Sequence, residues 1–285
     1  MGIERVGIVG GGQMGGGIAE VCIKAGVDVI VREVSDELVD RARSAIEASL
    51  AKAVERGKLT PEARDEALGR LRLTTDLEDF ADRQLVVEAI VEDEDAKRQV
   101  FAELDRTVAD PDAILATNTS SLPVTRIATA TERPDHVVGM HFFNPAQIMP
   151  LVEVVSTVVS APEVVDRAAA FAAETLGKTV VRAKDRAGFI VNKLLCPYLF
   201  EAIRMYEEGF ASREDIDAAM VNGAGYPMGP LTLADLIGND TLLAVADAFF
   251  EEYRDPRYAA PPLLRRMVEA GLLGRKTGRG FYDYD

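Results

Sequence analysis

The sequence predicts an α/β fold with a mainly parallel sheet, followed by an all-helical domain. From Ile3 to about residue 185, short β-branched runs alternate with longer amphipathic segments, which is typical of βαβ units. Beyond that point strand signals stop and the pattern is helical. We therefore expect two domains, 1–185 and 186–285, because single cores rarely grow beyond about 250–300 residues.

The predicted elements follow one another regularly. A strand in "RVGIVG" leads to a helix near 14–25, a second strand in "DVIVRE" and a long helical segment from about 36 to 56. The stretch 36–70 is too long for a simple crossover, and Gly57, Thr60 and Pro61 divide it, so it predicts an inserted helical hairpin. Further strands are predicted at 71–74, 84–89, 113–117, 136–141, 151–155 and 178–182.

Composition excludes several classes of partner. The net charge of −15 argues against a nucleic acid or an anionic membrane, and no run approaches the ~20 apolar residues of a membrane span. Cys22 and Cys196 lie in apolar runs of different predicted domains, so we expect neither a disulfide framework nor a bound metal. The opening "MGIERVGIVGGG" lacks a basic, apolar leader, which predicts a cytoplasmic location.

The first strand ends in a glycine-rich loop. Gly10, Gly12 and Gly15 form a G-x-G-x-x-G motif between a strand and a helix, where the helix N-terminus offers N–H groups to a pyrophosphate. Glu33 closes the second strand, where a carboxylate binds the adenine ribose hydroxyls. We therefore predict a Rossmann-type domain that binds NAD, although the neighbouring Arg32 leaves NADP open.

A titratable imidazole base must be one of two histidines. His136 follows a polar turn and is typical of a surface residue, whereas His141 ends its strand, where an open α/β sheet places its ligand crevice. Glu153 lies in the apolar "PLVEVV", where an unpaired carboxylate would be costly. Spacing alone is equally consistent with a catalytic pair and with a core histidine beside an unrelated glutamate.

Two further segments favour a site at this crevice. "LATNTSSLPVT" places small hydroxylated residues after a strand, either to cap the next helix or to bind a substrate oxygen. "GFIVNKLL" places Asn192 in an apolar helix start, either for a local hydrogen bond or for a ligand. The residues alone leave both choices open.

A series of motifs runs in order along the whole chain: "GIVGGGQMGGGIAE", "VVEAIVED", "NTSSLP", "GMHFFNPAQIMPLVEV", "GFIVNKLL", "GAGYPMGPLTLADLIGND" and "GRKTGRGFYDY". Together they resemble the 3-hydroxyacyl-CoA dehydrogenase family, in particular its short stand-alone form, which includes 3-hydroxybutyryl-CoA dehydrogenases. The resemblance implies NAD-dependent, reversible oxidation of an (S)-3-hydroxyacyl-CoA. It also implies a homodimer formed through the helical domain.

The resemblance also implies site residues. His141 would be the general base paired with Glu153, and Ser120 and Asn192 would surround the substrate oxygen. The matching cofactor residues are Gly10, Gly12, Gly15, Glu33, Glu92, Lys97, Asn118 and Lys276. The inserted hairpin would hold coenzyme A through Ser49 and Arg56, with Lys58 nearby, and Ser120 would also face the substrate.

The chain departs from the family pattern at Gln147, Pro150 and Ala187. None of these is a catalytic position, and the first two leave the preferred acyl chain open. Two other functions are considered: a related dehydrogenase of small free hydroxy acids, which generally uses a lysine base, and a non-catalytic NAD-binding relative. The inserted hairpin and the His141–Glu153 pair argue against a dehydrogenase of free hydroxy acids. The presence of His141, Glu153, Ser120 and Asn192 argues against a non-catalytic relative.

Overall fold

The computed structural model describes residues 2–284 and divides into two compact units, Met1–Arg186 and Ala187–Asp285. The first holds an eight-stranded sheet flanked by helices, and the second is helical. The predicted fold class is confirmed. The division lies beside the predicted domain boundary at residue 185.

The sheet has the order β3-β2-β1-β4-β5-β6-β7-β8. Neighbouring strands are parallel except β6 and β7, which are antiparallel. The strands are β1 Arg5–Val9, β2 Asp28–Arg32, β3 Leu71–Thr74, β4 Leu85–Glu88, β5 Ile114–Thr117, β6 Val137–Phe142, β7 Leu151–Ser156 and β8 Thr179–Lys184. Strands β4, β5 and β6 are buried along their whole length, as expected when helices cover both faces of a parallel sheet.

Among the described residues, the first unit has six α-helices: α1 Gln13–Lys24, α2 Asp36–Glu55, α3 Pro61–Leu68, α4 Glu94–Thr107, α5 Val124–Ala128 and α6 Pro162–Ala170, which continues as a π-helical turn, Phe171–Thr175. Helices α2 and α3 form the predicted hairpin. Ser35 caps α2 by accepting the Leu38 N–H, and Thr60 caps α3, which has Pro61 at its first position.

The second unit contains α7 Val191–Glu207, α8 Arg213–Ala224, α9 Pro230–Ile237, α10 Asn239–Tyr253 and α11 Pro262–Glu269. Phe200, Leu231 and Phe249 are among the side chains fully buried in its core. The carboxylate of Asp235 on α9 accepts the N–H groups of Phe281 and Tyr282, each at 2.9 Å. These bonds fasten the C-terminal segment to α9, because a buried carboxylate is stable only when such donors surround it.

Between residues 2 and 284, no helix has the length and apolar character that a membrane span requires, and no group of acidic, histidine or cysteine side chains is arranged to hold a metal ion. Cys22 in α1 and Cys196 in α7 are buried and unbridged. Burial raises the pKa of each thiol to about 12, so both remain protonated at neutral pH.

Candidate active site

The glycine-rich loop joins β1 to α1 in a conformation that requires glycine. Gly10 has a φ of 94°, and a Cβ on Gly15 would lie 1.8 Å from the Gly10 carbonyl oxygen. A Cβ on Gly12 would meet nothing within 4 Å, and no side chain caps the start of α1. The loop therefore leaves open space beside unoccupied helix N–H groups, which suits a pyrophosphate.

Glu33 closes one side of this loop. Its Oε1 accepts the Gly11 N–H at 2.6 Å, and its Oε2 accepts the Val34 N–H at 3.3 Å. Glu33, Gly12 and Ser49 line the same cavity of about 480 Å³ between the loop and α2. A carboxylate on the wall of a phosphate-binding cavity fits the adenosine half of NAD, whereas contact with the ribose itself remains a prediction.

The serine-rich loop after β5 is held by Glu92. Glu92 Oε1 accepts the Thr119 hydroxyl at 2.5 Å, the Ser120 and Ser121 N–H groups at 3.0 and 3.1 Å, and the Ser121 hydroxyl at 3.0 Å. Burial raises the pKa of Glu92, but Lys97 and these hydrogen bonds outweigh it and hold the pKa below its usual value. Glu92 therefore fixes the backbone that carries Ser120.

Lys97 lies beneath this loop in a buried network. Its side chain is 1% exposed, and Nζ lies 2.6 Å from Glu88 Oε1 and 3.3 Å from Glu92 Oε2. Glu88, which is fully buried at the end of β4, also accepts the Thr117 hydroxyl at 2.7 Å and the Ile90 N–H at 2.7 Å. Lys97 thus links the ends of β4 and β5 to Glu92, and its direct contact with a cofactor stays a prediction.

The interpretation of the serine-rich loop as a helix cap is wrong. Helix α5 has no side-chain cap of its own. Asp185 instead accepts the Val124 and Thr125 N–H groups at 2.9 and 2.7 Å, from 61 and 60 residues away. The loop hydroxyls are consequently not needed for α5, and Ser120 is half-buried beside the strand ends.

His141 and Glu153 form a hydrogen-bonded pair. They stand opposite each other in the antiparallel ladder of β6 and β7, and His141 Nδ1 lies 2.7 Å from Glu153 Oε2. Their exposed fractions are 6% and 0%. Since a carboxylate only accepts, Nδ1–H is the donor, and Nε2 carries the lone pair that a general base needs.

The end of β6 is tied to the neighbouring strand by Asn118. Its Oδ1 accepts the Phe142 N–H at 2.9 Å, one residue beyond His141. The Phe143 ring lies 4.5 Å from the His141 ring, measured between centroids. The imidazole is therefore oriented by Glu153, by the fixed strand end and by an aromatic neighbour.

The hairpin residues lie along α2 and just after it. Ser49 is half-buried and donates its hydroxyl to Glu20 Oε2 at 2.6 Å. Arg56 is the C-terminal cap residue of α2, and Arg56 and Lys58 are both exposed, as cations that meet a phosphate group must be. Their role in holding coenzyme A remains a prediction.

Two predicted site residues belong to the second unit. Asn192 is half-buried in the first turn of α7. Lys276 lies in a short turn, Arg275–Thr277, and its Nζ donates to Asp240 Oδ2 at 2.5 Å. The contact of Asn192 with the substrate oxygen and that of Lys276 with the cofactor remain predictions.

Sequence reasoning missed Glu88, Glu20 and Asp185. Glu88 ends an apolar strand and Glu20 lies in an apolar helix, and both are buried. The argument that singled out Glu153, a charge inside an apolar segment, applies equally to them. Asp185 carries no such signal, because its partners in α5 are remote in sequence.

Comparison with known proteins covers the whole chain. Residues 5–186 match the model "3-hydroxyacyl-CoA dehydrogenase, NAD binding domain", and residues 188–284 match "3-hydroxyacyl-CoA dehydrogenase, C-terminal domain". A 3-hydroxybutyryl-CoA dehydrogenase of Mycobacterium tuberculosis is 57% identical over 282 residues, 99% of each chain. A probable 3-hydroxybutyryl-CoA dehydrogenase of Deinococcus radiodurans is 50% identical over 280 residues, 98% of this chain and 100% of the relative.

Two solved structures are also similar to this chain over almost its entire length. The crystal structure of M. tuberculosis FadB2 has a TM-score of 0.99 at 57% identity and covers 100% of both chains. The (S)-3-hydroxybutyryl-CoA dehydrogenase PaaH1 of Ralstonia eutropha has a TM-score of 0.95 at 41% identity over 99% of each chain.

Proposed function

Because this chain belongs to the 3-hydroxyacyl-CoA dehydrogenase family, we propose that it catalyses the reversible, NAD-dependent oxidation of an (S)-3-hydroxyacyl-CoA to the 3-oxoacyl-CoA. Several relatives are named 3-hydroxybutyryl-CoA dehydrogenases, so a short acyl chain is the proposed substrate class. The enzyme is an NAD-dependent oxidoreductase, as the NAD-binding domain of its family indicates.

The observation that carries this proposal is the buried His141–Glu153 pair at the carboxyl end of β6. Glu153 holds Nδ1–H, which leaves Nε2 as the atom that removes the alcohol proton. As His141 becomes an imidazolium, the adjacent carboxylate stabilises its charge. In the reverse direction the same imidazolium returns the proton to the ketone oxygen.

Bound NAD supplies the hydride acceptor. The chain positions the reactants and stabilises charge: Ser120 and Asn192 are proposed to donate hydrogen bonds to the oxygen that becomes negative. Glu92 supports this role of Ser120, because four hydrogen bonds to its carboxylate order the loop. A preordered donor stabilises developing charge without a reorganisation cost at the moment of reaction.

The proposed cofactor residues are the loop glycines together with Glu33, Glu92, Lys97, Asn118 and Lys276. Glu33 favours NAD over NADP, since a carboxylate repels the additional 2′-phosphate. Arg56 and Lys58 are the proposed cations for the phosphates of coenzyme A. Because the chain has a net charge of −15, its overall charge repels these phosphates, and individual cations beside them must provide the attraction. A homodimer and a cytoplasmic location are also part of the proposal.

The direct test measures NADH absorbance with acetoacetyl-CoA and purified protein. We expect consumption of NADH that depends on both the protein and the thioester. Turnover of free acetoacetate instead would identify a hydroxy-acid dehydrogenase, and NADH binding without turnover of either would identify a non-catalytic relative. Longer 3-oxoacyl-CoAs measured in parallel give the preferred chain length.

A further inference from the structure

A buried carboxylate on α1 lies outside the residues assigned above. Glu20 is 3% exposed, and its Oε2 accepts the Ser49 hydroxyl at 2.6 Å. Lys24 Nζ lies 3.5 Å from Oε1 and supplies a countercharge. Because a buried carboxylate is costly without partners, these contacts fix the orientation of Ser49.

The contact sets the direction of hydrogen bonding at Ser49. A carboxylate can only accept, so Ser49 gives its single hydroxyl proton to Glu20 and keeps its lone pairs for other partners. Ser49 lines the cavity beside the glycine-rich loop. Any ligand that bonds to Ser49 Oγ from the cavity must therefore donate a hydrogen.

Gln147 also lines this cavity, although its side-chain oxygen is buried beneath the cavity wall. Its Oε1 is buried against Gly17, 2.8 Å from the position of a Cβ there, and accepts no hydrogen bond from the residues described. Lys178 holds this loop, because its Nζ donates to the carbonyl oxygens of Ala146 and Met149 at 2.7 and 2.8 Å.

Ser49 and Glu33 lie toward opposite ends of the cavity. The Glu33 carboxylate and Ala42 of α2 both lie beside Gly11, and the seven residues of helix from Ala42 to Ser49 span roughly 10 Å. In the proposed function, Glu33 would hold the adenosine of NAD and the glycine-rich loop would hold its pyrophosphate. The end with Ser49 and Glu20 is then available to the second ligand.

We propose that Glu20 is a positioning residue that makes Ser49 accept an amide N–H from the pantetheine arm of the acyl-CoA substrate. This inference rests on the proposed function. The arm contains two secondary amides, each with an N–H donor. Phosphate groups offer only acceptors, and the Glu20 carboxylate disfavours them at this position.

Glu20→Gln tests the proposal, because the amide is nearly isosteric but can donate to Ser49 and turn its hydroxyl toward the cavity. Losing one neutral hydrogen bond should raise KM for acetoacetyl-CoA about 3- to 10-fold. We expect kcat and KM for NADH to stay within about twofold. Glu47→Gln, an exposed change on α2, is the matched control and should alter none of these values.

A change of substrate separates hydrogen bonding from a structural effect. Acetoacetyl-pantetheine is compared with an analogue in which ester oxygens replace both amide N–H groups. The wild type should prefer the amide in kcat/KM by about 3- to 10-fold, and Glu20→Gln should reduce this ratio to near one. Thermal unfolding of both proteins verifies that the variant is folded.

Three results would overturn the inference: an unchanged KM for acetoacetyl-CoA in the variant, a rise confined to NADH, or an undiminished preference for the amide. Failure of the proposed function is distinguishable, because the wild type would then not reduce acetoacetyl-CoA. In that case calorimetric binding of coenzyme A to both proteins decides the inference. Weaker binding by Glu20→Gln supports it, and equal or absent binding overturns it.

Discussion

The two histidines differ in their surroundings, and a pair of substitutions tests this difference. His141→Gln removes the proposed base and should lower kcat by about 100- to 10,000-fold, while NADH binding measured by fluorescence is kept. His136 is half-buried, and its Nδ1 lies 3.3 Å from the Ala113 carbonyl oxygen. His136→Gln is the control and should retain most activity; near-normal turnover of His141→Gln would refute the assigned base.

Lys97 offers a second test at the residue scale, in stability. Lys97→Met would leave the fully buried Glu88 without its closest cation. Breaking a buried pair from one side costs about 3–5 kcal/mol, which denaturant unfolding would measure. Lys52→Met, at an exposed position of α2, should change the free energy of unfolding by less than about 0.5 kcal/mol. Equal effects of the two changes would contradict the network described.

At the scale of elements, Glu92 makes the loop after β5 sensitive to acid. Its pKa is lowered from the ordinary 4.5, because Lys97 and the loop hydrogen bonds outweigh burial. A lowered pKa adds stability above pH 4.5 that is lost as the pH falls through the native pKa. Unfolding free energies should therefore fall more steeply with acid in the wild type than in Glu92→Gln.

The exposed Glu132 provides the control for this pH dependence. Glu132→Gln should follow the wild-type curve. Since Glu92 is itself partly exposed, solvent screening keeps the difference between the curves small. Identical curves for Glu92→Gln and the wild type would show that the loop does not depend on this carboxylate.

The elements themselves were largely predictable, because their signals are local. The predicted strands at 71–74 and 151–155 correspond to β3 and β7, and Gly57, Thr60 and Pro61 marked the turn of the hairpin. Contacts between remote elements were not predictable. The capping of α5 by Asp185 and the bond between Ser49 and Glu20 depend on how helices and strands pack, which hydrophobic periodicity does not encode.

The site was predictable to a similar degree. His141 and Glu153 were inferred from a strand end and a charge in an apolar run, and the ladder of β6 and β7 places them opposite each other. Spacing could not decide whether they touch, because that depends on strand register. The resemblance named Lys97 but not its partner Glu88, which lies within the motif "VVEAIVED" but is not one of the site residues that the resemblance implies.

At the scale of the whole molecule, the second unit presents exposed apolar side chains. Leu194 is 73% exposed, Phe210 75% and Leu236 49%. We expect a homodimer to cover part of this surface, so sedimentation equilibrium should give twice the chain mass of 30.9 kDa. Leu194→Glu should shift the equilibrium toward monomer, with Val158→Glu, at a still more exposed position in the first unit, as the control. A wild-type mass of one chain at micromolar concentration would contradict the dimer.

The antiparallel pairing of β6 and β7 has a consequence for redesign of this enzyme. Strand register, and not the length of the intervening segment 143–150, sets the separation of His141 and Glu153. Ile148 and Met149 are exposed in that segment, and Pro150 directly precedes β7. Substitutions at these exposed positions can therefore alter substrate range while the proton-transfer centre keeps its geometry, provided that Phe143, whose ring lies against His141, and the buried Ala146 are retained.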